Sequence, residues 1–324
     1  MLFLLRKKKS VQTFEKTVFM LVRYYLIYQM IIYGLGKVFY LQFMYPNDIA
    51  LEKTLGDMSP MGLMWTFMGY SMGYTMFVGW LEFFGGLFLI FRRTTILGAL
   101  ITLGVMLNVF MLNMCYDVPV KLLSLHMVLM SLFLLSPVAK EVSNFFFSRG
   151  EVLRGKMPFF DYKEATNFML CAKIGLLAIM LIRMGYGNYT AFQSRTQPNV
   201  FIGKHIVTDH KIIKDTTVID SIPDYKKWIS VSAIASKYLS IEYQDKDQSW
   251  YEIEMDEATS YIGLKKNVES EYQKLTYTSD GVDGSTINGV FYGDSISIVF
   301  NKSDKDFLLR TRKFHWMQEY PFNR

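Results

Sequence analysis

The feature that most constrains this chain is the crowding of its long apolar runs into the first 185 residues. A helix needs about 20 apolar residues to cross a hydrocarbon core. Five segments meet or approach that length: 18–43, 72–91, 96–114, 120–135 and 165–184. The fourth is short and is followed by Pro137. The stretch 59–71 is apolar but rich in Gly and Met, and reads as an amphipathic or partly re-entrant piece. From Phe201 onward the period of hydrophobicity becomes two, which is the period of a half-buried strand.

The average composition hides this division. Apolar residues make up 51% of the chain, yet mean hydropathy is only +0.16 because the last third is polar and alternating. The formal net charge of +6 is carried by basic residues clustered at the ends of apolar runs. With five spans, the run 6–9, the pair Arg92 and Arg93, and Lys140, Arg149, Arg154 and Lys156 all fall on one side. The opposite loops carry Asp48, Glu52, Lys53, Asp57 and Asp117. By the positive-inside rule the N-terminus is expected in the cytoplasm and everything after Gly185 outside. The expected setting is thus the inner (cytoplasmic) membrane, with the lipid bilayer as first partner and a membrane or periplasmic protein as a further one. No basic patch interleaved with aromatics is present, so no nucleic-acid partner is expected. The first ten residues place apolar residues before the charges, the reverse of a cleavable signal, so Arg6 to Lys9 are expected to stay attached as a cytoplasmic anchor.

Eight strand-like segments follow Phe201, separated by turn signals at 245–248, 280–284, 293–294 and 302–306. Short strands in regular order predict an antiparallel meander, closed as a small barrel that leaves no exposed edge. Trp228, Trp250, Tyr251, Phe291 and Trp316 are expected to fill it. His205, His210 and His315 form no recognisable zinc or catalytic spacing, and no metal site is expected. Cys115 and Cys171 are expected too far apart for a disulfide.

Ionisable residues inside spans carry the most functional information, because burying them in lipid is costly and they turn inward to find partners. Glu82 lies near the middle of the second run, and Arg23 lies about five residues into the first. They form the expected intramembrane ion pair, with another polar side chain of the first helix, such as Gln29, as the alternative partner. Either the pair fixes helix packing, or Glu82 is a protonatable group for substrate chemistry. A second group, Lys37, Asn108, Asn113 and His126, lies at similar depth toward the outer face. Under an acidic loop at 48–57 these four form a candidate ligand site, suited to a quinone whose head needs donors near the interface and whose tail needs an apolar groove. The competing reading is that Lys37 snorkels outward and His126 bonds a neighbouring carbonyl. Met58, Met61, Met64, Met68, Met72 and Met76 recur at helical spacing. Such a stripe serves either Cu(I) ligation or adaptable packing, and the Cys or His support that copper usually has is missing nearby.

The stretch 23–137 resembles the DoxX family of small four-helix membrane proteins. The residues that carry this are Arg23 and Gly34-x-x-Lys37, Glu82-x-x-Gly85-Gly86, and the turn at 92–98. The run from Thr94 to Leu135 and the tail from Phe307 to Arg324 are similar to longer Bacteroidetes-type members with an outer β domain. The resemblance implies a four-helix bundle. Some relatives are subunits of a thiosulfate:quinone oxidoreductase, and others are associated with oxidative-stress or thiol complexes. Lys37 and Glu82 match the family's intramembrane positions. The chain departs from the simple pattern in its fifth helix and outer domain.

The expected organisation is a basic N-terminus at 1–16, a DoxX-like four-helix membrane domain at 17–137, a cytoplasmic linker at 138–164, a fifth transmembrane helix at 165–185, and an extracytoplasmic β domain at 193–324. Two functions fit. One is a quinone-linked redox protein or subunit, with quinone as cofactor. The other is a non-catalytic membrane module whose outer barrel binds a partner or lipid-like ligand.

Overall fold

The computed structural model describes residues 2–147, 167–196, 201–214, 217–219, 222–234, 237–256, 259–267, 269–279, 284–312 and Met317. The helices are α1 (Leu2–Val38), α2 (Asp48–Glu52), α3 (Pro60–Tyr70), α4 (Met72–Ile90), α5 (Thr95–Cys115), α6 (Lys121–Leu135), α7 (Ala139–Phe147) and α8 (Asn167–Thr196). The strands are β1 (Gly203–Lys214), β2 (Thr217–Ile219), β3 (Trp228–Ile234), β4 (Tyr238–Tyr243), β5 (Gln248–Asp256), β6 (Tyr261–Lys265), β7 (Gln273–Ser279), β8 (Gly284–Phe291) and β9 (Asp294–Lys302), and a short α9 (Leu308–Thr311) follows. Two compact units result: Met1–Tyr45 with Leu55–Phe192, and Pro46–Thr54 with Gln193–Arg324.

The first unit is membrane-embedded. Among the described residues four helical stretches are long and apolar enough to cross a bilayer: Thr13–Val38, Met72–Ile90, Arg92–Cys115 and Lys121–Phe147. Their outward faces carry large apolar side chains such as Leu21, Phe77, Leu97, Leu107 and Leu129, an arrangement suited to lipid rather than water. The fifth apolar run lies on α8, which continues beyond it to Thr196. The start of the segment expected as a linker is helical in α7, while 148–164 lies outside the described residues, as do residues 165 and 166 at the head of the fifth run. The side chains of the basic run 6–9 and of Cys171 also lie outside what is described.

Lipid tails are as apolar as leucine, so helices associate here through close packing rather than through hydrophobic burial. The sequence supplies glycines where backbones meet. A Cβ on Gly34 would sit 2.6 Å from the backbone nitrogen of Phe83, and one on Gly98 would sit 2.6 Å from that of Leu89. Gly34 and Gly79 therefore bring α1 against α4, and Gly98 brings α5 against the end of α4. Leu26, Met30, Ile31, Leu89, Met127 and Leu134 fill the space left. Ser59 and Ser71 start α3 and α4 by accepting hydrogen bonds from the backbone N–H groups of Gly62 and Tyr74. The run 59–71 is thus helical from Pro60 to Tyr70, capped at Ser59.

The second unit is a closed antiparallel barrel. Eight strands form the ring in the order β1-β3-β4-β5-β6-β7-β8-β9, and β9 pairs back onto β1. β2 is an extra strand on the far end of β1. Alternation places Val231, Leu239, Ile241, Ile253, Ile262, Leu264, Ile287 and Ile298 inside. Tyr292 and Gly293 both take positive φ, +48° and +88°, and make the two-residue turn that joins β8 to β9. Trp228, Tyr251 and Phe291 fill the interior as expected, but Trp250 is 41% exposed. Tyr251 faces in, so its neighbour on the strand must face out. Trp316 and His315 lie outside the described residues.

The barrel unit also includes Pro46–Thr54, which the sequence reading assigned to the first domain. Asn47 caps α2 by accepting a hydrogen bond from the backbone N–H of Ala50. Buried Asp48 accepts a 2.6 Å hydrogen bond from the backbone N–H of Lys204 and pairs with Arg310. Lys204 reaches Glu52 at 2.6 Å and Glu242 at 3.3 Å. The acidic loop expected to roof the ligand site thus spends Asp48 and Glu52 on the barrel.

Candidate functional site

Within the membrane unit, α1, α3, α4, α5 and α6 enclose a cavity of about 340 Å³. Phe43, Met64, Met68, Phe77, Val105 and Leu112 make it apolar. Its polar groups are few, and they include Tyr33, Lys37, Gln42, Tyr74, Glu82, Asn108, Asn113 and Ser124.

The central feature is an ion pair. Lys37 Nζ donates to both Glu82 oxygens, at 2.7 and 2.9 Å, and the two residues are 4% and 1% exposed. The antiparallel packing of α1 on α4 explains the match. Gly34 lies against Gly79 and Phe83, so Glu82 is level with the turn of α1 just before Lys37. A lysine stem is long enough to reach back that one turn. An ammonium has three N–H donors, and Glu82 takes two of them. The third has no hydrogen-bond acceptor among the described residues; the rings of Tyr33 and Phe43 flank the ammonium at 5.6 and 5.9 Å. Farther along the wall, buried Asn113 donates from Nδ2 to Ser124 Oγ at 3.0 Å, tying α5 to α6.

Arg23 is not the partner of Glu82. Its Nε and one Nη donate to the carbonyls of Leu89 and Ile90 at 2.5 and 2.6 Å. The last four carbonyls of a helix have no intrahelical partner, and Arg23 closes two of those of α4. The register places it about ten residues, ~15 Å, along α1 from the level of Glu82. Gln29 is also elsewhere, donating to the Tyr25 hydroxyl at 3.0 Å. The broader expectation, that Glu82 faces the bundle interior and pairs with a polar side chain of the first helix, describes the Lys37 pair.

Three of the four expected ligand-site residues, Lys37, Asn108 and Asn113, line the cavity. His126 does not: it is exposed, and its Nδ1 sits 2.6 Å from the carbonyl of Leu122 in the same helix. Lys37 does not snorkel, because Glu82 holds it inside. The methionine stripe divides: Met61, Met64 and Met68 pack with Phe43 and Val118, whereas Met72 is 46% exposed. Among the described residues no group of three or more His, Cys, Asp or Glu could hold a metal ion. Sequence reasoning missed Tyr33 and Ser124. Tyr33 was legible as the residue one helical turn before Lys37, on the same face.

No family model matches the chain, and no solved structure matches it. The chain is 34% identical over 113 residues to the uncharacterized protein YwoB of Bacillus subtilis (strain 168), a match covering 35% of this chain and 71% of that protein. The chain belongs to the YwoB family. Membership of the YwoB family brings no activity with it, so function has to be argued from the cavity itself.

Proposed function

We propose that the membrane unit binds a lipid-soluble molecule with a carbonyl-bearing head, a quinone being the first candidate, and serves as a DoxX-type quinone-linked redox protein or subunit. The observation that supports this is the spare N–H of Lys37. It lies in the wall of an apolar cavity whose volume falls in the usual range for ligand sites. A quinone oxygen would accept from that ammonium, and its ring would lie among Tyr33, Phe43 and Phe77. Glu82 holds Lys37 in place without occupying its third donor. Asn108 and Asn113 are further polar groups of the wall. Electrons would come from a membrane or periplasmic protein partner. The resemblance to DoxX proteins, some of which are quinone-linked, agrees with this reading.

Mass spectrometry of the small molecules retained by the purified protein tests it. The expected result is a quinone in near-stoichiometric amount, lost from Lys37→Ala that remains folded. A protein that retains phospholipid and no quinone sinks the quinone reading. We further propose five spans in the inner membrane, the N-terminus cytoplasmic and the β unit outside, supported by the asymmetry of Lys and Arg. A reporter fused after Arg324 should be active only on the non-cytoplasmic side; activity in the cytoplasm contradicts the span count.

A further inference from the structure

In the up-and-down ring, the start of β3, the end of β4, the start of β5, the end of β6, the end of β8 and the start of β9 fall at one end of the barrel. A pocket of about 410 Å³ opens there. Its floor is aromatic: Trp228 and Tyr251 are each 2% exposed, and Phe291 stands at right angles to Trp228 with ring centres 5.2 Å apart. The hydroxyls of Tyr243 and Tyr251 are accounted for, because they bond each other at 2.9 Å.

His210 is not accounted for. It projects inward from β1 with the same parity as buried Ile212. Its Nδ1 accepts the backbone N–H of Trp228 at 3.1 Å. An accepting Nδ1 carries no proton, so the neutral ring has its proton on Nε2. That atom is buried and has no hydrogen-bond partner among the described residues. A buried donor left unsatisfied costs about 1–3 kcal/mol, a cost that a bound acceptor would remove. The same ring lines the pocket. Burial, and after it the charge of Lys227, pushes the His210 pKa down to about 4, so the ring is neutral at neutral pH and donates.

The rim adds a charge preference. Lys226 is neutralised by Asp294 at 2.5 Å. Lys266, also in the lining, is exposed and has no ion-pair partner among the described residues.

We propose that this end of the barrel binds a small aromatic carboxylate, its ring stacked in the Trp228–Phe291 floor, one oxygen accepting from His210 Nε2 and its charge facing Lys266. The site is distinct from the membrane cavity and does not depend on the reading of that cavity. Saturation-transfer-difference NMR on the full chain in lipid nanodiscs, with sodium benzoate as probe and empty nanodiscs as blank, tests it. The expected result is saturable benzoate binding. It should be at least tenfold weaker in His210→Phe, which keeps a ring and removes the donor, and several-fold weaker in Lys266→Glu, an exposed change that leaves the core untouched. The absence of a saturable signal above the blank overturns the proposal. So does wild-type affinity in Lys266→Glu, or in a folded His210→Phe. Benzyl alcohol binding as tightly as benzoate would overturn the assignment to an anion.

Discussion

The ammonium of Lys37 lies 2.7 and 2.9 Å from the two oxygens of Glu82, inside the membrane unit and away from its surface. Removing one member of a buried pair leaves the other charge uncompensated and typically costs about 3–5 kcal/mol, whereas replacing both with apolar groups is often near neutral. Lys37→Ala and Glu82→Ala should therefore lower the thermal stability of the detergent-solubilised protein strongly. Glu82→Gln should do so less, and Lys37→Met with Glu82→Leu should recover most of the loss. A double variant as unstable as the singles would show that the pair's charge is not what the helices depend on.

The glycines differ in what they permit. Gly34→Ala and Gly98→Ala would each place a methyl 2.6 Å from a backbone nitrogen of α4, so the helices must separate. Gly104 has nothing within 4 Å of the same position. Gly104→Ala should be neutral, or stabilising by up to about 1 kcal/mol through helix propensity. Unfolding midpoints of the three variants in one detergent decide this; equal behaviour would refute it.

Asp48 serves the barrel from a segment more than 150 residues upstream of Lys204. A hydrogen bond to a charged group contributes about 1.5–3 kcal/mol. Asp48→Ala is expected to destabilise the barrel by roughly that much, read as a lower denaturant midpoint in near-ultraviolet circular dichroism. The isolated fragment 193–324 should melt below the barrel in the full chain, and appending 46–54 through a flexible linker should restore part of the difference.

Acid should weaken the barrel in a particular window. His210 protonates near its ordinary pKa of 6.5 when unfolded but only at about 4 when folded, because burial and the Lys227 charge oppose the imidazolium. Between those values the unfolded state binds more protons. Its contribution is therefore full above about pH 6.5 and falls as the pH drops toward about 4. His210→Gln should flatten that slope, leaving the part due to His205, whose pKa burial also lowers. A wild-type midpoint independent of pH across this window would contradict the assignment.

Much of the fold was legible because it rests on period and length. Apolar runs of spanning length gave the helices, and strict alternation with turn signals gave a barrel. What the sequence left open was register between elements. Arg23 and Lys37 are both cations of one helix, and only the packing of Gly34 on Gly79 decides which reaches Glu82. The fate of His126 turned on a local choice, since a histidine can bond the carbonyl four residues back as easily as face a cavity. The docking of Asp48 on Lys204 joins residues 156 positions apart and leaves no periodic trace.

The barrel is closed by its first and last strands, with His205 opposite Lys302 and Ile213 opposite Ser295. The chain therefore cannot finish this unit as it is made. Until β9 has emerged, β1 and β8 both present open ladders that can pair with any other strand nearby. Its closure waits on β9, which acts as the latch. A cut or stop upstream of Asp294 would produce a sheet with two sticky edges, a product fitted for aggregation or proteolysis rather than for partial service.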